Sequence, residues 1–293
     1  MVMSLMNTCV FICRYKFSLE EILENFANFS TGYSYFIFDN SEIPLSDDEK
    51  EILERADDAV YYYSFSDNLG LAYALNYLNK VAIEKDFTHA IYFDQDSKID
   101  SELIKGLSES FFDNSKDLFC IGPKPVTYDH EDYYVRYSGK VDGAVDIYNA
   151  KELITSGMLY SLEISNHIGG FDEKLFLDMV DFEICWRARN KGYNVIVDKK
   201  VIMQHQVGEN AFNFFGRKLP ISAPIRNYYQ TRNNLYLLIN SDSPLPYKLY
   251  MFSRRLVNII INLIFVGNKK ERLVYNLKGI KDAIRKNMGK YRS

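Results

Sequence analysis

Two carboxylates set one residue apart end the run Ala90-Ile-Tyr-Phe-Asp-Gln-Asp-Ser97, where apolar β-formers stop abruptly. A strand sends alternate side chains to one face, so Asp94 and Asp96 can both turn toward one point as the strand opens into a loop. Hard oxygen ligands in that arrangement suit Mg2+ or Mn2+, with substrate phosphates filling the rest of the shell. Taken alone, such a pair also fits a strand that simply ends in a polar turn. A second acidic cluster, Val180-Asp181-Phe182-Glu183, opens a helical pattern that runs to Asn190 and is stopped by Gly192. In the first turn of that helix, the positive end of the dipole would favour an ionised Asp181 able to take up a proton; capping the helix is the competing role. Glu183 and Arg187 stand four apart, so an ordinary helix-surface ion pair competes with a ligand contact. Further on, Arg226, Tyr229 and Arg232 recur at i, i+3 and i+6 of another helical segment. Aromatic stacking and guanidinium forks suit sugar rings and phosphates, although a solvated helix face would look the same.

The elements needed to bring these groups together are legible in the first half. Strands read at Cys9–Cys13, Tyr35–Phe38, Ala59–Phe65, Ala90–Phe93 and Leu118–Ile121. Between them, helical spacing covers Leu19–Phe29, Asp47–Ala56, Leu69–Glu84 and Ser101–Phe112. Ser46 with Glu49 three residues on forms a capping box for the second helix. Strand and helix in alternation predict a parallel sheet with crossover helices, which binds ligands at the carboxyl ends of its strands. Arg14-Tyr15, Asp39-Asn40, Asp67-Asn68 and Asp94 to Asp96 all fall at those ends. From Thr127 to Lys151 the pattern turns irregular and reads as an insertion or loop. A strand at Ile154–Tyr160 follows, then a helix from near Ser161, the helix Val180–Asn190, a strand pair at Val195–Val197 and Val201–Val207, and a mobile loop over Glu209–Ala223. Helices are expected over about Pro224–Asn240, Leu245–Val266 and Lys270–Met288.

At 293 residues with 47% apolar content the chain can bury a substantial core. Four cysteines in apolar contexts, without metal-ligand spacing, read as buried thiols of a reducing compartment. The N-terminus runs almost directly into a strand, which predicts no signal peptide. The net charge of −4 conceals an asymmetry, because Pro244 to Ser293 carries 12 Lys and Arg against 2 Asp and Glu. A basic segment beside an acidic body implies an anionic partner. Its apolar run, Leu256 to Val266, is too short to span a bilayer, and lying on an anionic membrane fits it better than binding nucleic acid.

With Asp67-Asn-Leu-Gly70, the Gly169 to Gly192 segment and Arg226-Asn-Tyr-Tyr-Gln-Thr-Arg-Asn233 added, the order and spacing resemble glycosyltransferase family 2 over about residues 8 to 290. Phe93-Asp-Gln-Asp-Ser97, His205 followed by Val207-Gly-Glu209, and the Arg-x-Tyr-Tyr-x-x-Arg-Asn segment are most similar to its rhamnosyltransferase-like branch. The resemblance implies an α/β, GT-A (Rossmann-like) fold with a mostly parallel central sheet. Residues 1–243 would form the catalytic domain, divided into a nucleotide-binding half (1–126) and an acceptor-side half (127–243), with 244–293 a basic amphipathic helical extension. It implies Tyr15 and Asp39 at the base and ribose, Asn68 shaping the nucleotide pocket, and Asp94 at the ribose or a metal-bound water. Asp96 would ligate Mn2+ or Mg2+ directly, with His205 as third protein ligand. Asp181 would be the general base, and Glu183, Arg226, Tyr229 and Arg232 would meet acceptor or diphosphate. The acid that commonly precedes Asp181 in the family is Val180 here.

These readings converge on a metal-dependent inverting transfer of a sugar, rhamnose favoured, from a nucleoside diphosphate. Donors would be dTDP-rhamnose or a UDP-sugar, a UDP-hexose or galactofuranose donor being the alternative. The acceptor would be a saccharide or lipid-linked saccharide at the inner face of a bacterial membrane, in surface polysaccharide assembly. A nucleotidyltransferase would need a glycine-rich phosphate loop, and Arg14-Tyr-Lys-Phe-Ser18 has no glycine. A dehydrogenase lacks its Gly-x-Gly-x-x-Gly. A non-catalytic nucleotide-sugar-binding subunit predicts binding without turnover, and the presence of both Asp96 and Asp181 disfavours it.

Overall fold

In a computed structural model that describes residues 7–26, 32–56, 59–97, 101–126, 146–204, 210–214, 217–241 and 243–292, strand and helix alternate from the start. The first half runs β1 (Thr8–Arg14), α1 (Leu19–Phe26), β2 (Ser34–Asp39), α2 (Asp47–Ala56), β3 (Val60–Ser64), α3 (Leu71–Glu84), β4 (His89–Asp94), α4 (Ser101–Asp113) and β5 (Leu118–Val126). Then come β6 (Ile147–Asn149), β7 (Met158–Ser161), α5 (Leu162–Ile168), a 3-10 turn (Glu173–Leu175), α6 (Val180–Asn190) and β8 (Asn194–Gln204). A hairpin of β9 (Asn210–Phe214) and β10 (Arg217–Ile221) leads to α7 (Pro224–Asn240), α8 (Leu245–Phe265) and α9 (Lys269–Arg285).

Eight strands form one mixed sheet in the order β3-β2-β1-β4-β7-β5-β8-β6. The strands β3, β2, β1 and β4 are parallel throughout, as are β5 and β8, whereas β7 runs antiparallel between β4 and β5. Both faces are covered, which is why these strands read as unbroken apolar runs. Alternation sorts them into two cores: Cys9, Phe11, Phe36, Phe38, Ala90 and Tyr92 pack on α3, α5 and α6. Val10, Ile12, Tyr35, Ile37, Ile91 and Phe93 pack on α1, α2 and α4. Parallel register brings the strand ends level, with Arg14 opposite Asp39, Asp39 opposite Ser64 and Cys13 opposite Asp94.

Several expectations are corrected. The strand pair after α6 is one long strand, β8, whose register on β5 jumps between Pro123↔Asp198 and Lys124↔Ile202. Buried Asp198 stabilises that kink by accepting from Ser110 Oγ and from the Lys200 amide. The loop expected over Glu209–Ala223 contains the β9–β10 hairpin. Regular strand begins only at Met158, because Gly157 at φ +79 turns the chain first. Ile147–Asn149, expected within a loop, is an edge strand on β8. The rest of the irregular stretch, residues 127–145, lies outside the described residues. The four cysteines are free thiols, as expected.

Residues 244–292, expected as an extension, are bound into the body by α7. Gly279 brings α9 so close to α7 that a Cβ there would lie 2.7 Å from the Tyr228 carbonyl oxygen. Alongside, the Tyr228 hydroxyl donates to Asp282 at 2.9 Å, and Arg255 of α8 donates to Gln230, Thr231 and Asn227. Gly279→Val should therefore lower the unfolding free energy by about 2 kcal/mol or more in urea melts, the cost of forcing packed backbones apart. Gly267→Ala, where nothing lies within 4 Å of the added methyl, should stay within about 0.5 kcal/mol of the parent.

Candidate active site

The level strand ends gather polar groups that have few apolar neighbours to hide among. At the end of β1 the Tyr15 amide donates to Gln95 Oε1 at 2.7 Å, fastening the Asp94-Gln95-Asp96 loop to the neighbouring strand. From β7's side Ser156 Oγ accepts from the Asp94 amide at 3.3 Å and lies 2.9 Å from Ser97 Oγ. The loop is thus held at both ends, with Asp94 half-buried and Asp96 exposed. Burial, together with repulsion from Asp96, pushes the Asp94 carboxyl up to about 6.

A second arm enters from α6 and α7. The segment preceding α6 holds Phe176, Asp178 and Met179 at positive φ of 64°, 61° and 70°, a strained path for residues with a Cβ. Five side-chain hydrogen bonds from α7 fix it, and a sixth ties in the C-terminal tail. Arg232 donates to the carbonyls of Lys174 and Leu175, and to Gly289 of the tail. Asn233 donates to Leu175, Leu177 and Asp178. Across the cleft the Leu71 amide donates to the Phe176 carbonyl at 2.7 Å, and Gly70, at φ +89, lets this contact form. A Cβ at Gly70 would sit 2.5 Å from Phe176 Cδ2.

Held this way, Asp178 takes a two-pronged ion pair from Arg226 in the first turn of α7. Asp178 is the main cause of a raised Arg226 pKa, and Asp94 and Asp181 add to it, so one guanidinium answers carboxylates from both arms. Asp181 sits in the first turn of α6, bonded to the Thr155 side chain and accepting from the Phe182 amide at 2.9 Å. Its carboxyl is pushed up to about 7, chiefly by burial. The sequence argument expected the helix dipole to keep it ionised, and here desolvation outweighs the dipole. The result is a carboxyl poised near neutrality.

Other candidates fall into different roles. The Tyr15 ring is 39% exposed at the mouth of the site. Asp39 has no exposed surface, and its carboxylate accepts from Arg14, Tyr62 and the Ser41 and Leu45 amides. A ligand could reach it only by displacing one of these. Asn68 accepts from the Gly70 amide at 3.0 Å and so shapes the turn into α3. Glu183 is corrected from ligand contact to structural ion pair: both its oxygens take Arg187, whose other donors hold the Ile168 and Gly170 carbonyls. Tyr229 is likewise buried, stacked on Phe176 at 5.1 Å, and Arg232 is 0% exposed. Neither offers a surface to an acceptor.

His205 lies outside the described residues. Among the described residues no three His, Cys, Asp or Glu side chains gather closely enough to hold a metal unaided. Asp94 and Asp96 still fit a hard cation that takes its other ligands from a diphosphate, since their mutual repulsion is what such a charge would relieve. A cleft of about 620 Å³ includes none of these groups; it lies around Glu183, Trp186 and Arg187 toward the far end of α6. The carboxylate rim at the strand ends lies apart from it.

No family model matches the chain. It is 32% identical over 222 residues to the dTDP-rhamnosyl transferase RfbF of Shigella flexneri, covering 73% of each chain. Its fold is that of solved GT-A glycosyltransferases. GalNAc-T7, solved with UDP, GalNAc and Mn2+, superposes with a TM-score of 0.63 at 13% identity over 97% of this chain; the match spans 56% of the GalNAc-T7 chain. The mannosyltransferase PcManGT of Pyrobaculum calidifontis, solved with GDP-Man and Mn2+, gives 0.58 at 12% identity, covering 95% of this chain and 75% of its own. TarS residues 1–349 of S. aureus, with UDP-GlcNAc, gives 0.56 at 16%, covering 95% and 80%.

Crowding carboxylates this way works against stability above neutral pH. Asp94 and Asp181 titrate higher in the folded chain than in the unfolded one, so the fold binds protons more tightly and gains stability as pH falls through about 7 and 6 toward 4. Above pH 7 both are ionised in either state and that gain is gone. Asp181→Asn should accordingly raise the melting temperature at pH 8 and leave it nearly unchanged, or lower it, at pH 5. Calorimetry at the two pH values checks the sign.

Proposed function

This chain belongs to the nucleotide-sugar glycosyltransferases of the GT-A fold, and we propose that it transfers rhamnose from dTDP-rhamnose, with inversion, to a saccharide or lipid-linked saccharide. The 32% identity to a dTDP-rhamnosyl transferase supports the donor. The observation that carries the mechanism is the meeting of two arms at one rim: Asp94 and Asp96 on the sheet, Asp181 on α6, and Arg226 acting between them.

In this reading the donor's diphosphate lies along the carboxyl ends of β1 and β4. Asp96 and Asp94 would hold Mn2+ or Mg2+, which when bound neutralises charge on the departing diphosphate. Tyr15 stands at the rim where a base or ribose can stack. Arg226, steered by Asp178, presents its half-exposed guanidinium toward the same charge. The acceptor hydroxyl gives its proton to Asp181 as its oxygen attacks the anomeric carbon from the face opposite the leaving group, so the configuration inverts. A carboxylate of pKa about 7 is ionised for half the molecules at neutral pH and is more basic than a solvated aspartate. Thr155 and the Phe182 amide keep the carboxylate oriented. A lipid-linked acceptor would bring the enzyme to the inner face of a bacterial membrane in surface polysaccharide assembly, with residues 244–292 as the part that meets it.

Four measurements test this. With dTDP-rhamnose and a saccharide acceptor, dTDP release should exceed that from UDP-hexoses or UDP-galactofuranose; the reverse order would reassign the donor. Asp181→Asn should lose turnover by about 10²-fold or more with donor binding retained, the scale for removing a general base. In the parent, kcat/KM should fall about tenfold per pH unit below 7 and level off above it, because only the ionised form of Asp181 accepts a proton. Finally, Asp96→Ala should abolish the tightening of dTDP binding by Mn2+ in calorimetric titrations, whereas Asp172→Ala, at a half-buried carboxylate that caps the 3-10 turn, should not.

A further inference from the structure

Helices α8 and α9 are built inside out. Their inward faces, against α7, carry charge and amide. Arg255 is buried among Asn227, Gln230, Thr231 and Asn276, while Arg272 and Asn276 are buried beside it. None of the acceptors of Arg255 is a carboxylate, and burial lowers its pKa to about 10, so it stays charged at neutral pH. The outward faces carry the aliphatic residues. Leu256, Ile260 and Ile264 are spaced by four along α8, and Leu273, Leu277 and Ile284 by four and seven along α9; each of the six is between 43% and 68% exposed. Helix periodicity puts each trio on one side of its helix, turned away from the residues that touch α7. A soluble helix pair normally has the reverse polarity, and apolar patches of this extent mark a surface that something covers.

We infer that the outward face of α8 and α9 lies in the plane of an anionic lipid surface. Among the described residues no helix is long and apolar enough to cross a membrane, which leaves insertion to the depth of one side-chain layer. Charge selects lipid over a second copy of the chain. Residues 244–293 carry 12 basic against 2 acidic side chains, and a symmetric dimer through this face would set two such segments against each other. Arg254, Lys269, Lys270, Lys281 and Arg285 are exposed around the aliphatic face, where anionic headgroups would meet them. The inference deepens the lipid-linked-acceptor reading but stands on residues remote from the carboxylates. The attachment also bears on the site mechanically, because the chain after α9 returns to it: Gly289 holds the Lys174 carbonyl and Arg232, Tyr291 bonds Tyr229, and Lys290 pairs with Asp67.

Truncation would strip α7 of its partners, so the test uses surface substitutions in the full chain. The parent should float with phosphatidylglycerol–phosphatidylcholine vesicles at low salt, stay behind with phosphatidylcholine alone, and release as salt rises. Ile260→Glu with Leu277→Glu should cut vesicle binding by at least about tenfold, and Lys281→Glu with Arg285→Glu by about fivefold per charge removed. Unchanged melting curves and dTDP binding would show that both variants remain folded. A parent that ignores anionic vesicles at low salt overturns the inference. So does a dimer in sedimentation that Ile260→Glu with Leu277→Glu dissociates without any lipid binding in the parent, which would make a second copy the occupant. Turnover with a water-soluble acceptor is scored separately: vesicle binding without transfer would sink the proposed reaction, and transfer without vesicle binding would sink only the membrane face.

Discussion

The site depends on a buried guanidinium that touches no substrate. Arg232, without exposed surface, spends donors on the backbone of Lys174, Leu175 and Gly289, and Asn233 beside it donates to Leu175 again and to Leu177 and Asp178. Three non-glycine residues there sit at positive φ, each a conformation costing on the order of 1 kcal/mol or more. Hydrogen bonds from a charged donor in a dry setting are strong enough to hold them. What the strain achieves is direction: the chain turns sharply enough to aim Asp178 at Arg226 and to start α6 with Asp181 facing the strand ends. Because the same guanidinium holds Gly289, the C-terminal tail is part of this clamp.

The electrostatics of the rim follow from that placement. Two carboxyls are driven up, to about 6 and about 7, chiefly because they are poorly solvated, and Arg226 is driven up as well, because Asp178, Asp94 and Asp181 favour its charged form. A structure selected for stability alone would not gather Asp94, Asp178 and Asp181 around one arginine and set Asp96 beside Asp94. The arrangement makes sense if a cation and a diphosphate complete it, since their charges cancel most of the repulsion. Asp39 shows the contrast. It is more deeply buried than any of them but fully hydrogen-bonded to Arg14, Tyr62 and two amides, so it serves as a fixed corner of the sheet edge rather than a responsive group.

Much of the nucleotide half was legible in the sequence, because strands covered on both faces produce unbroken apolar runs whose ends are easily found. The Ser46–Glu49 capping box was visible; an identical one at Ser18 and Glu21 could have been read by the same rule. The second half was harder. Asp198-Lys-Lys looks like a turn between two strands, yet buried Asp198 absorbs the irregularity and β8 continues through it. The helix at Asp181 was found to the residue, but the upward shift of its carboxyl was not, because burial sets it and no local pattern reports burial.

The Arg-x-Tyr-Tyr-x-x-Arg-Asn segment shows why residues of one motif need not share one role. At about 100° per residue, positions six apart on a helix lie about 120° apart around its axis, so Arg226 and Arg232 cannot share one face. One reaches the rim and the other enters the clamp, and Tyr229 between them stacks on Phe176. The same rotation governs α8, where Arg255 turns inward to Asn227 and Thr231 while Leu256 and Ile260 turn out. Because the polar face of α8 is committed to α7, its apolar face can only point away from the protein. A chain that binds its last helices through buried arginines therefore presents an aliphatic surface as a geometric consequence, and the surrounding lysines decide what kind of surface can lie against it.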